Sequence, residues 1–177
     1  MTEELSLEER CRRVELLLCD VDGVLTDAHV LLDAHGGELQ RFHIRDGMGI
    51  RIWERAGYRF GILSLRSSQA VRIRAAELGV TLIRQRVENK LVAAREVAEQ
   101  LNLRLEQVGY VGDDLPDLCV IQSVGLGVAV ADAVAEVRQH AHYVTQAKGG
   151  HGAVREVIEM ILRNKQRWQA LIEAYFV

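Results

Sequence analysis

Two aspartates one residue apart stand just beyond a short apolar run. The run is Val14-Glu15-Leu16-Leu17-Leu18-Cys19, and the pair lies in Asp20-Val21-Asp22-Gly23. Such a run reads as a buried strand of a parallel sheet. Open α/β sheets bind their ligands just outside the C-terminal ends of these strands. Carboxylates two positions apart on an extended segment project to the same face. So close together, they raise each other's pKa, and a divalent cation relieves that repulsion while keeping both ionised. The pair also suits helix capping or loop solvation, so the rest of the chain must decide.

A second acidic cluster, Gly112-Asp113-Asp114 with Asp117 beyond it, follows another apolar run, Val108-Gly109-Tyr110-Val111. Carboxylate oxygens from both clusters, completed by water, make a hard-cation site suited to Mg²⁺. An acidic helix N-terminus is the simpler use of the second cluster. Ser64 ends a third run, Phe60-Gly61-Ile62-Leu63, and Lys90 opens a helical pattern after a fourth, residues 80–84. A hydroxyl and an ammonium at matching strand ends can hold the oxygens of a phosphoryl group. Taken singly, Ser64 would be a helix cap and Lys90 a surface cation. Together these residues describe metal-assisted phosphoryl chemistry at one sheet edge.

The elements that must position them alternate. Strands are expected over 15–19, 59–63, 80–84, 107–111 and 125–130, and helices over 46–56, 68–78, 88–101, 115–121, 132–138 and 151–163. That alternation predicts an α/β fold with a Rossmann-like, doubly wound parallel sheet. One segment breaks it. Val30-Leu31-Leu32 and Glu38-Leu39-Gln40-Arg41-Phe42 flank Asp33-Ala34-His35-Gly36-Gly37, which reads as a β-hairpin over about 28–43 projecting above the acidic motif. At the end of the chain, Val154, Val157, Ile158, Ile161 and Leu162 keep helical spacing, as do Trp168, Leu171, Ile172, Tyr175 and Phe176. The aromatic set can dock on the chain's own body or on a partner subunit.

Length and composition fit one domain over 1–177, with a C-terminal helix and tail from about 151. The chain is 49% hydrophobic and 27% charged, with a formal charge of −3. That balance gives no reason to bind nucleic acid or a membrane surface. No apolar run can span a bilayer and the acidic start is unlike a signal peptide, so the expected compartment is the cytoplasm. Cys11, Cys19 and Cys119 lack metal-type spacing and read as reduced and structural. His29, His35, His140, His142 and His151 read as surface or turn residues.

In order, the chain runs strand, Asp20-x-Asp22, strand, Ser64, strand, Lys90, strand, Gly112-Asp113-Asp114. This resembles the haloacid dehalogenase superfamily of phosphatases, with Asp20-Val21-Asp22-Gly23-Val24-Leu25-Thr26-Asp27 as the first motif. The stretches Arg45–Ile50, Gly112–Leu118, Val128–Ala133 and Gly149–Glu156 narrow the likeness. Over about residues 14–163 the chain looks like the capless 3-deoxy-D-manno-octulosonate 8-phosphate (KDO 8-phosphate) phosphatase family. The resemblance implies an Mg²⁺-dependent phosphatase of lipopolysaccharide biosynthesis acting on a phosphorylated keto-deoxy sugar acid. Asp20 would be the nucleophile, forming an aspartyl-phosphate, and Asp22 the general acid and base. Asp20, Asp113 and Asp22, the last through its backbone carbonyl, would hold the metal. Ser64 and Lys90 would meet the phosphoryl oxygens, with Asp114 and Asp117 orienting metal and lysine. Substrate contacts would be Asp22, His43, Ile44, Arg45, Asp46, Gly47, Arg51, Arg66, Arg74 and Lys90. Arginine is the preferred fork for such a substrate's carboxylate and phosphate. The family's hairpins imply a homotetramer in which neighbours replace the cap and the tail reaches a neighbour's site.

Besides Ser64, which keeps the hydroxyl of the usual threonine, three positions depart from the family. Leu65 stands where a glycine is usual, Arg86 replaces another, and Asn89 replaces an aspartate. A side chain at either glycine position obstructs close backbone approach or a positive φ. These losses leave room for a catalytically weak assembly domain of sugar-acid activation. A phosphatase for a nine-carbon keto-sugar acid phosphate would share almost every motif. A signalling receiver would also use an acidic pocket, a hydroxyl and a lysine, but neither the hairpin nor Gly112-Asp113-Asp114 fits one.

Overall fold

The structure, a computed structural model, describes residues 5–176. Six strands form one parallel sheet in the order β5-β4-β1-β6-β7-β8. They are β1 (Leu16–Cys19), β4 (Arg59–Ser64), β5 (Leu82–Gln85), β6 (Val108–Gly112), β7 (Leu126–Ala129) and β8 (Tyr143–Val144). Every residue of β1 is buried, as a central strand covered on both faces requires. Its registers decide the site. Cys19 pairs with Ile62 of β4 and with Val111 of β6. Asp20, Ser64 and Asp113 therefore emerge at the same edge.

The helices are α1 (Leu7–Arg13), α2 (Ile44–Arg55), α3 (Gln69–Leu78), α4 (Lys90–Gln100), α5 (Leu118–Ile121), α6 (Ala135–His140), α7 (Ala153–Asn164) and α8 (Trp168–Glu173). They make two contiguous groups: α1, α7 and α2 touch in one, and α4, α5 and α6 in the other. A doubly wound sheet needs such a group for each face. Between β1 and α2 there is only the hairpin of β2 (Leu31–Leu32) and β3 (Glu38–Leu39), paired antiparallel. Asp33 closes its loop, accepting hydrogen bonds from the amides of His35 and Gly37 on Oδ1. An ion pair between Arg41 and Asp27 ties its base.

Each expected strand and helix exists within a few residues. The expected helix over 115–121 is a 3-10 turn, Leu115–Asp117, followed by the single turn α5. Asp114 caps this turn and Pro116 sits in it, a place where a missing N–H costs nothing. Four short elements went unforeseen: α1, a 3-10 turn at Leu105–Gln107, β8 and, as a bounded helix, α8. The capping box of Ser6 and Glu9 that opens α1 is legible in hindsight. At the other end, Trp168 docks on the chain's own body. It lies between the guanidinium groups of Arg155 and Arg163, 5.1 and 5.3 Å from its ring centre. Phe176 is 78% exposed. Among the described residues no helix is long and apolar enough to cross a membrane.

Candidate active site

The loop after β1 begins the site. Val21 O accepts from the amides of Val24, Leu25 and Thr26, curling the chain so that Asp20 and Asp22 sit over the sheet edge. Asp20 N donates to Val111 O, and Val21 N donates to Asp20 Oδ1 at 2.7 Å. Asp20 Oδ2 lies 2.6 Å from Lys90 Nζ. Gly23 has φ +83°, and a Cβ there would lie 2.0 Å from Asp113 Oδ2. The glycine after the second aspartate thus clears space for a carboxylate arriving from β6. Behind the loop, a Cβ on Gly149 would lie 1.7 Å from Gly23 O. Gly149 N in turn donates to Asp132 Oδ1. The stretches around Asp132 and Gly149 therefore buttress the acidic loop from beneath.

Lys90 is 2% exposed and bridges Asp20 and Asp117, at 2.6 Å from each. Burial opposes its charge, but the two carboxylates outweigh burial and raise its pKa. Asp117 is fully buried. Its Oδ1 accepts from Lys90 Nζ and Tyr110 Oη, its Oδ2 from the amides of Asp113 and Asp114. Both Asp117 oxygens are occupied, so it is better placed to orient Lys90 than to bind a metal.

Ligand atoms of Asp20, Asp113 and Asp117 lie within 4.8 Å of one another. Burial, reinforced by the charge of Asp117, pushes Asp20 up to about 6 and Asp113 up to about 8. Asp113 Oδ1 is buried without a hydrogen-bond partner. A buried, unsatisfied carboxylate oxygen facing like charge is what a hard divalent cation would satisfy. The residues therefore fit Mg²⁺: Asp113 offers an unpartnered oxygen, and each Asp20 oxygen beside it holds one partner where each Asp117 oxygen holds two.

Asp22 faces the cleft. Its Oδ1 accepts from Arg66 Nη1 at 3.1 Å and Gln40 Nε2 at 3.4 Å, and Arg66 also pairs with Glu38. Glu38 and Gln40, which the sequence reading did not single out, reach the site because alternate residues of a strand share a face. Ser64 Oγ accepts from Arg66 N. A cleft of about 310 Å³ is lined by Asp20, Asp22, Leu65, Arg66, Asp113 and Asp114, among others.

The other expected substrate contacts lie elsewhere on the chain. His43, Asp46, Gly47 and Arg74 line a small cavity of about 20 Å³ between α2 and α3, and Ile44 and Arg45 line an open surface hollow beside His151. The Asp46 carboxylate is 2% exposed and accepts from Arg155 N on Oδ1, capping α7. Arg51 donates to the Glu77 carbonyl. Within one chain, none of these seven lines the carboxylate cleft.

Two of the departures leave the site intact. Leu65 lies at the cleft wall without left-handed backbone, and Asn89 caps α4 by accepting from Val92 N. The third is strained: Arg86 has φ +58°.

Comparison with known proteins agrees with this geometry. A family model for haloacid dehalogenase-like hydrolases matches residues 54–158. The chain belongs to the haloacid dehalogenase-like hydrolases. Within them it falls in the KDO 8-phosphate phosphatase family. It is 45% identical over 154 residues to the KDO 8-phosphate phosphatase of Yersinia pestis, covering 87% of this chain and 82% of that one. The Moraxella catarrhalis KDO 8-phosphate phosphatase, solved with magnesium, phosphate and KDO, superposes with a TM-score of 0.93. The two are 34% identical, and the match covers 95% of this chain and 97% of the other. The cobalt-bound Haemophilus influenzae enzyme of the same name gives a TM-score of 0.86 at 36% identity, covering 89% and 92%. The hydrolase fold expected from the sequence is the fold found.

Proposed function

We propose that this protein is an Mg²⁺-dependent phosphatase that converts KDO 8-phosphate to KDO and inorganic phosphate. The observation that carries this reading is the meeting of Asp20, Asp22, Lys90 and Asp113 at one sheet edge, in a chain so similar to phosphatases of that substrate.

In this mechanism Asp20 attacks phosphorus, the bond from phosphorus to the sugar oxygen breaks, and an aspartyl-phosphate forms. Asp22, held by Arg66 and Gln40, gives its proton to the departing sugar oxygen. It then takes a proton from the water that attacks phosphorus, releasing phosphate and restoring Asp20. Lys90 and Ser64 stabilise the transferring oxygens. Bound Mg²⁺, held by Asp20, Asp113 and the Asp22 carbonyl, would offset the repulsion between the nucleophile and the phosphate dianion. Arg66 at the cleft wall is the cation placed to meet the sugar acid.

The working form we propose is a homotetramer, acting in the cytoplasm in lipopolysaccharide biosynthesis. The hairpin exposes Val30, Leu31, Leu32 and Leu39, each at least half exposed, beside a cleft that carries no cap. His43, Ile44, Arg45, Arg51 and Arg74, remote from their own cleft, would then serve a neighbour's, with the buried Asp46 and Gly47 holding that segment in place, and the aromatic tail around Tyr175 and Phe176 would reach across too.

The test is phosphate release from KDO 8-phosphate with and without Mg²⁺, beside an Asp20→Asn control. Metal-dependent turnover abolished by the substitution is expected. Absence of turnover by the folded wild-type protein would sink the proposal.

A further inference from the structure

Tyr110 is a core residue in the middle of β6, paired in register with Leu18 of β1 and fully buried. Its hydroxyl lies 2.6 Å from Asp117 Oδ1, the oxygen that also accepts from Lys90 Nζ at 2.6 Å. Burial, with the nearby Asp117 charge, holds the phenol protonated, so it is the donor. The two backbone amides on Asp117 Oδ2 fix one corner of that carboxylate. The phenol, which does not line the cleft, fixes the other.

We propose that Tyr110 is a positioning residue for phosphoryl transfer: through Asp117 it sets where Lys90 places its ammonium. The inference rests on Lys90 being the cation that meets the phosphoryl group. As Asp20 becomes an acyl phosphate, its carboxylate charge is lost and Lys90 loses one of its two ion-pair partners. Asp117 is then its remaining anchor. Held only by Lys90 and the amides, Oδ1 would be free to follow the ammonium. Held by the phenol as well, it stays put and Lys90 pivots about a fixed point towards the arriving oxygens. Sharing Oδ1 with the phenol also weakens that oxygen's hold on Lys90, leaving the ammonium freer to bond to phosphate.

The test is Tyr110→Phe, which keeps the ring and removes the hydroxyl. Loosening the anchor of a cation that acts mainly in the transition state predicts a kcat about 3–10-fold lower, with KM within about twofold of wild type. Orthovanadate with Mg²⁺, which mimics the five-coordinate state, should bind more weakly by a similar factor, while inorganic phosphate binds as before. In a Lys90→Gln background the added Tyr110→Phe change should cost less than about twofold, since the route through Lys90 is already gone. Unchanged kcat and vanadate affinity would overturn the proposal, as would an equal loss in the Lys90→Gln background. Should Lys90→Gln not fold, the contrast between vanadate and phosphate on Tyr110→Phe decides alone. Vanadate binding needs no sugar substrate, so a wrong substrate assignment appears separately, as an inactive wild-type enzyme that still distinguishes the two anions.

Discussion

Arg86 follows β5, with its amide bonded to Arg66 O and Val87 N bonded to Ser64 O. Its φ of +58° costs an L-residue about 1 kcal/mol or more, which glycine avoids while losing some of that gain to chain entropy. Arg86→Gly should therefore stabilise the protein by up to about 1 kcal/mol, raising Tm by up to roughly 2–4 °C. A melting curve checks this; a lower Tm would mean that the guanidinium makes a compensating contact. Gly23 is the reverse case. Gly23→Ala combines a positive φ with a clash on the Asp113 carboxylate. We expect a loss of at least about tenfold in apparent Mg²⁺ affinity, read by titrating metal into the activity assay, because the displaced group is a proposed ligand. Asp20, Asp22, Ser64, Lys90 and Asp113 were legible in the sequence because acidic, hydroxyl and ammonium groups are conspicuous at the ends of apolar runs. Glu38, Gln40 and Tyr110 were not. The first two act only once the hairpin folds back, and a tyrosine inside an apolar run looks like core until Asp117 is seen beside it.

The joint between α2 and α7 shows how one carboxylate can hold two elements together. Asp46, in the first turn of α2, caps the first turn of α7 through Arg155 N. Its Oδ2 is buried without a partner, 3.9 Å from the equally unpartnered His43 Nδ1. Burial raises the Asp46 pKa above its usual value in spite of the cap. The folded state thus retains this proton to higher pH than the unfolded chain does. Stability from this group is therefore full below the ordinary carboxylate value, about 3.9, and is lost as pH rises from there through the raised folded pKa. Asp46→Asn keeps an acceptor for the cap and removes the titration. Between pH 4 and pH 7 the urea midpoint of the variant should rise relative to wild type; parallel midpoints would refute this account. Strands and long helices were readable from periodicity. The two-residue β8 and the 3-10 turn at Leu115–Asp117 were not, being fixed by pairing and capping that leave no periodic trace.

Across the whole molecule, the open cleft and the apolar hairpin are two sides of one economy of chain. With only a hairpin between β1 and α2, this segment forms no large cover over the site, and the proposed tetramer would supply one. Leu31 and Leu39 are direct cross-strand partners. Replacing them by Lys and Glu keeps the pair attractive within the hairpin and removes the apolar surface. Light scattering after size exclusion should show the assembly falling to smaller species, with activity on KDO 8-phosphate falling at least about tenfold if neighbours complete the site. An unchanged mass would remove the hairpin from the interface.

The seat of Gly149 against Gly23 and the place of β1 between β4 and β6 also bear on how the protein is made. The strand that carries the proposed nucleophile leaves the ribosome early, but its second flank and the turn that braces its loop are encoded some ninety to one hundred and thirty residues later. At about 5–20 residues per second that interval is on the order of ten seconds. Throughout it the most apolar strand of the sheet has an open edge on the growing chain. The nascent chain therefore passes through a stage at which the edge of β1 is open while Asp113, a proposed metal ligand, has yet to be made.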